Sequence, residues 1–243
     1  MTTSIREELT RRSPLRLLDR SLAGGPGPGS LCVLASPKGV GKTACLVHIA
    51  ADRLIQDRPV IHVSYADRID YIFTWYEDIF KELAGLPGMK AASEIYDDII
   101  RNRVIMNFRQ DGTRTEQVLK SVEAMIVHGR IAADTVIVDG LDFSRATPAE
   151  LVLFKEFAGR VGARIWFSAS LRGEGPLYDE RGVPCLLRDF LDVIDVLLTL
   201  QHHGDHVHLT LVKDRDRLAA RNLRLRLDPR SLLIVKDTAR PKA

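Results

Sequence analysis

The segment Ser36-Pro37-Lys38-Gly39-Val40-Gly41-Lys42-Thr43 leaves this chain few ways to fold. It starts from the apolar run Leu31–Ala35. It leads into residues 42–56, where Ala44, Leu46, Val47, Ile49, Ala50 and Leu54 fall at helical spacing. A five-residue apolar run has the length of a buried strand. Gly39 and Gly41 supply backbone angles that residues with a Cβ avoid. Strand, tight turn and helix therefore follow one another.

The same alternation continues downstream. Strands are expected at Val60–Tyr65, Arg103–Phe108, Thr135–Asp139 and Arg164–Ser168, and helices at 68–84, Thr113–His128 and Pro148–Val161. Ala84–Lys90, with Pro87 between two glycines, reads as a surface loop, and 171–184 as another. Such alternation needs crossover helices, hence a mainly parallel sheet covered on both faces. Strand-like runs at Val193–Gln201, His206–Lys213, Leu223–Leu227 and Leu232–Lys236 close the chain, with a turn at His202-His203-Gly204-Asp205. They are expected to extend the sheet antiparallel at one edge. Ahead of the first strand, Ile5, Leu9, Leu15, Leu17 and Leu18 predict one short helix within residues 1–20, and Gly24–Gly29 a turn cluster. The fold class is α/β, with residues 1–30 as an N-terminal helix and Gly/Pro lead-in and 31–243 as one folding unit.

Composition excludes several classes. Hydrophobic residues at 45% suffice for a core, so global disorder is ruled out. Cys32, Cys45 and Cys185 are an odd number without metal-ligand spacing, which argues against a disulfide framework or zinc module. The first thirty residues are too charged for a signal peptide, and no run of eighteen apolar residues occurs. A reduced, cytoplasmic setting without membrane insertion is the expectation. The net charge of +3 is unevenly spread: from Lys213 onward ten basic residues face four acidic ones, leaving −3 on the preceding 212 residues. A basic edge on a mildly acidic body invites an acidic partner, a phosphate among the candidates.

Ser36–Thr43 matches the phosphate-loop spacing G-x-x-x-x-G-K-[ST], with Ser36 in place of the first glycine. Gly39 and Gly41 would let successive N–H groups turn inward as an anion nest. The helix start at Lys42 adds its positive dipole end. Lys42 would reach the β- and γ-phosphates and the Thr43 hydroxyl a magnesium ion. Ser36 demands a backbone angle open to a residue with a Cβ. The cradle comprises Ser36, Pro37, Lys38, Gly39, Val40, Gly41, Lys42, Thr43 and Ala44. A second part is Thr135–Asp139, an apolar strand ending in a carboxylate. Set beside the strand that feeds the loop, it would let Asp139 hold a water of the magnesium shell. Asp142 reads as a solvated loop acid or cap.

Phosphate loop, acidic strand and strand-rich tail together resemble the RecA superfamily of P-loop ATPases, most closely its KaiC/DnaB-like group. The likeness runs from about Ser13 to Lys236. It includes Leu18-Asp19-Arg20 and Gly24–Gly29 ahead of the first strand, Arg164–Ser170 as a sensor strand, and Asp195–Leu198 with His208–Val212 as a closing hairpin. It implies a RecA-like three-layer fold, ATP and Mg²⁺ as ligands, Ser170 near the γ-phosphate, and a homo-oligomer, hexamer or filament. It also implies that Lys213 and Arg215, the Lys-x-Arg after that hairpin, reach a neighbour's γ-phosphate. By composition alone, Lys213-Asp214-Arg215-Asp216-Arg217 is a solvated turn of alternating sign, so both readings stand.

The second strand departs from the family. Where the family has a water-activating glutamate stands Ala66, followed by Asp67, one methylene shorter than glutamate. Asp67 is either the general base or the N-cap of the next helix. A slow ATPase acting through self-assembly or a protein partner is thus the first reading. A non-hydrolysing ATP sensor is the second and a DNA-remodelling ATPase a distant third. Nucleic acid is not favoured: Asp142 and Arg145 cancel in Gly140–Thr147, and Leu171–Pro184 carries Arg172 and Arg181 against Glu174, Asp179 and Glu180. Three smaller features read as structural. Leu223, Leu225 and Leu227 would be buried behind Arg224 and Arg226. His202, His203, His206 and His208 lack a completed metal set. The aromatic stripe Tyr71–Phe80 packs in the core or, as the alternative, meets another subunit.

Overall fold

The computed structural model describes residues 2–66, 68–85, 95–173, 175–204 and 206–237. In chain order these form α1 (Thr2–Arg12), α2 (Leu15–Ser21), β1 (Leu31–Pro37), α3 (Lys42–Ile55), β2 (Val60–Ser64), α4 (Asp70–Gly85) and α5 (Tyr96–Ile100). There follow β3 (Arg103–Asn107), α6 (Thr115–Val127), β4 (Thr135–Asp139), α7 (Pro148–Val161), β5 (Arg164–Leu171) and a 3₁₀ turn at Cys185–Phe190. The chain closes with β6 (Val196–His203), β7 (His206–Asp214), β8 (Arg217–Leu227) and β9 (Ile234–Lys236).

The strands make one sheet in the order β3-β2-β4-β5-β1-β6-β7-β8-β9. β1 to β6 are parallel, and β7, β8 and β9 extend the sheet antiparallel at one edge, as expected. The central strands are apolar throughout because both faces are covered. Cys32, Leu34 and Trp166 point into a core with α3 and α4, and Leu31, Val33, Ala35 and Phe167 into one with α6 and α7. Full burial of one such aliphatic side chain is worth about 1.5–3 kcal/mol. The result is a three-layer α/β fold.

Several local expectations need correction. Two N-terminal helices replace one, because Pro14 lacks the N–H that would carry a helix through. α1 packs on α3 and α2 against β8, with Leu9, Leu15, Leu18 and Leu22 buried in the same core, and Arg6 Nη1 caps the end of α3 on the carbonyls of Leu54 at 3.0 Å and Ile55 at 3.2 Å. β8 begins at Arg217 rather than Leu223; its first half is exposed on both faces, so no apolar alternation announces it. Its arginine and leucine pattern holds, with Leu223, Leu225 and Leu227 buried. Val193 precedes β6 in a turn, and His202 and His203 belong to that strand. Of the loop foreseen at Ala84–Lys90, residues 86–90 lie outside the described residues.

The C-terminal ribbon is clamped to α3. Ile234 N–H donates to Nδ1 of the buried His48 at 2.9 Å. Burial pushes the His48 pKa from 6.5 down to about 4. The unfolded chain therefore takes up a proton near pH 6.5 that the folded protein refuses until about pH 4. This contribution to stability is complete above pH 6.5 and is lost as pH falls toward 4. At pH 5 the loss is about 2 kcal/mol. Urea unfolding of the parent at pH 7.5 and pH 5 should differ by at least that much. In His48→Gln the difference should shrink by about the same amount; an unchanged difference would remove His48 from the account.

Candidate functional site

β1 delivers the chain to the C-terminal end of the parallel strands, where residues 38–41 turn back into α3. Ser36 is the last buried residue of β1 and keeps ordinary strand geometry; it is absent from the positive-φ residues, so its Cβ costs nothing. Gly39 and Gly41 do take positive φ, +82° and +110°. Gly41 is also approached by Leu227, whose Cδ2 a Cβ there would meet. α3 opens on Gly41 with no side-chain cap, so the first-turn amides of Lys42, Thr43 and Ala44 face the loop. Val40 and Ala44 are buried, Pro37 is half-buried, and Lys38 is exposed.

Lys42 is the central observation. It is 8% exposed, and its Nζ donates to Ser36 O at 3.1 Å, Pro37 O at 2.9 Å and Ser36 Oγ at 3.3 Å. Among the described residues no carboxylate lies within ion-pair distance of this ammonium. Burial lowers its pKa from 10.5 to about 8; Asp139 works against the drop and Arg172 adds to it. A buried cation held only by neutral oxygens, at an uncapped helix start, can be met by an anion.

Asp139 is 9% exposed at the end of β4, and Thr43 Oγ1 donates to its Oδ2 at 2.8 Å. The two residues are 96 positions apart. One expectation fails here: β4 is not beside β1, because β5 lies between them. Thr43 reaches Asp139 across β5, whose Ser168 Oγ accepts from Gly140 N–H at 2.8 Å. Ser170 pairs with Ser36 in register, so it stands at the mouth of the loop. Asp142 accepts from Ser144 N–H at 3.1 Å and Ser144 Oγ–H at 2.6 Å, a local turn cap.

Asp67 lies outside the described residues. Ala66, just before it, donates its N–H to Ser64 Oγ at 3.1 Å. Lys213 and Arg215 sit far from Lys42 in the same chain. Val196 pairs with both Cys32 and Asp214, so β7 ends at the edge where the parallel strands begin. Lys213 Nζ donates to Ile194 O at 2.5 Å, while Arg215 is turned outward beside Asp214 at 3.0 Å. Neither can serve the loop of its own chain.

The sequence reading missed Leu227, which comes from a strand 186 residues after Gly41 and has no local signature. Two of the loop arginines are paired: Arg145 with Asp111 at 2.8 Å and Arg181 with Asp179 at 3.3 Å. Among the described residues no cluster of metal-ligating side chains occurs, the histidine-rich hairpin included. The aromatic stripe divides: Ile72, Tyr76, Ile79 and Phe80 are buried, and Tyr71 and Phe73 are exposed. No helix of the described residues is long and apolar enough to cross a membrane. Neither a protein-family model nor a curated protein matches this chain.

Proposed function

We propose that the protein binds ATP with Mg²⁺ in the cradle Ser36–Ala44 and hydrolyses it slowly, as a RecA-like ATPase of the KaiC/DnaB kind whose sites are completed by self-assembly. The observation that carries this reading is the buried Lys42 ammonium without a carboxylate partner, set over uncapped amides of α3. Triphosphate would take Lys42 from the carbonyls of Ser36 and Pro37, trading neutral acceptors for anionic ones. Thr43 and Asp139 form a hard-oxygen pair suited to Mg²⁺, and they are the residues that would hold it. The ion would offset charge on the phosphates. Ser170 would face the terminal phosphate from β5.

Arg215 supports assembly, because it is 52% exposed and lies at the opposite edge from its own cradle. A head-to-tail contact, the kind that builds rings and filaments, would bring it to the next chain's phosphates. Turnover per chain is then expected to rise steeply with protein concentration, and Arg215→Ala to remove that rise while leaving nucleotide binding intact. Concentration-independent turnover that is unaltered in Arg215→Ala would end the assembly reading.

Ala66 and Lys213 favour the second reading, a nucleotide sensor without meaningful turnover. Ala66 cannot activate water, and Lys213 is engaged within its own chain. The same assay separates the two, since tight ATP binding with no phosphate release at any concentration leaves the sensor. The pairing of Arg145 and Arg181 with nearby acids speaks against a track for nucleic acid.

A further inference from the structure

We infer that Arg172 is a second cation of the cradle, acting within its own chain on the terminal phosphate of a bound nucleoside triphosphate. The inference rests on the proposed reading of Ser36–Ala44 as a triphosphate site and assigns that site a discriminating residue.

Three observations meet at Arg172. The first is register. β5 runs parallel to β1, with Ser36 opposite Ser170 and Pro37 opposite Leu171. Arg172 is the next residue, level with the start of the loop at Lys38. The second is the face. Side chains alternate along a strand, and Phe167, Ala169 and Leu171 enter the core beneath α7. Trp166 enters the opposite core, beneath α3. Ser168 and Ser170 continue that α3 side, where Lys42 and Thr43 lie, and Arg172 directly follows the last residue of the strand. Two hydroxyls thus climb toward the cradle, and the residue that follows them at its mouth is Arg172.

The third observation is what Arg172 does not do. It is exposed, and among the described residues it has neither an ion pair nor a hydrogen bond, whereas Arg145, Arg181 and Arg188 all stand near carboxylates. Its charge is nevertheless felt on both sides of the mouth. After burial, and against Asp139, it contributes to holding the Lys42 pKa down. At Asp142 it is a minor cause of a lowered carboxyl pKa, behind the Ser144 hydrogen bond. Two cations that repel each other across an open mouth define where a multiply charged anion gains most. Lys42 lies at the inner end and Arg172 at the outer one, so the outermost phosphate is the one Arg172 would meet.

The discriminating measurement is affinity for Mg·ATP against Mg·ADP, by titration calorimetry at one ionic strength, on the parent, Arg172→Ala and Arg172→Lys. Arg172→Ala is expected to lose about tenfold in ATP affinity, the low end for a charge-assisted hydrogen bond. ADP affinity should stay within about twofold. Arg172→Lys should recover most of the loss, because a charge at the mouth is what the anion meets. A purely structural residue would shift both nucleotides together or neither. An ATP/ADP ratio in Arg172→Ala equal to the parent's overturns this inference and leaves the triphosphate site standing. A parent that gives no heat with either nucleotide, or a Lys42→Ala variant that binds like the parent, overturns the site itself and Arg172 with it.

Discussion

Gly41→Ala is expected to lower unfolding free energy by about 2–4 kcal/mol and to abolish triphosphate binding in the same step. Two costs add. The backbone at Gly41 holds φ at +110°, a conformation that costs a residue with a Cβ on the order of 1–3 kcal/mol. The new methyl would also meet Leu227 Cδ2, which has to shift. Leu227 is 3% exposed, so its methyl end has to shift within the packed C-terminal ribbon to make room. The double variant Gly41→Ala/Leu227→Ala separates the two, since it relieves the collision and leaves the strained angle. Urea unfolding should therefore show a coupling of more than about 1 kcal/mol between the sites. A Gly41→Ala protein as stable as the parent would mean that the turn is not built as described.

Lys42→Ala is expected to do the opposite: little harm to the fold and a large loss of binding. The ammonium is buried without an ion pair, so its removal takes away a desolvation cost along with three hydrogen bonds to neutral oxygens. Stability should change by under about 1 kcal/mol. A charge-assisted hydrogen bond contributes about 1.5–3 kcal/mol, which puts the loss in triphosphate affinity at about 10- to 150-fold. The pH dependence has a definite sign. With the free ammonium titrating near pH 8, an arriving polyanion raises that pKa. Affinity should be flat below pH 7 and fall above pH 8 as the free protein loses the proton that the complex keeps.

Strand, turn and helix around Ser36–Thr43 are legible in the sequence because each is encoded within a few residues. Apolar length sets the strand, glycines the turn, helical spacing the helix. The order of parallel strands is not encoded locally. Nothing in Thr135–Asp139 says that β5 will stand between it and β1, and the Thr43–Asp139 contact forms regardless because α3 crosses β5. Gly39 and Gly41 are readable as turn formers, whereas the approach of Leu227 to Gly41 comes from far along the chain. Ser36 stands where the motif has its first glycine and needs a backbone angle open to a residue with a Cβ; it has one as an ordinary strand residue, since the positive angles begin only at Gly39. Arg217–Asn222 escaped notice because all of it but Leu218 is exposed, which leaves no apolar period. Arg172 read as one charge in a loop total, whereas strand register sets it at the mouth of the cradle.

The most direct test is calorimetric titration of Mg·ATP into the parent and Lys42→Ala at pH 7. The account predicts saturable one-site heat with the parent and an affinity at least about tenfold weaker in a variant that unfolds at the same urea concentration. No heat with the parent, or equal binding by both proteins, would contradict it.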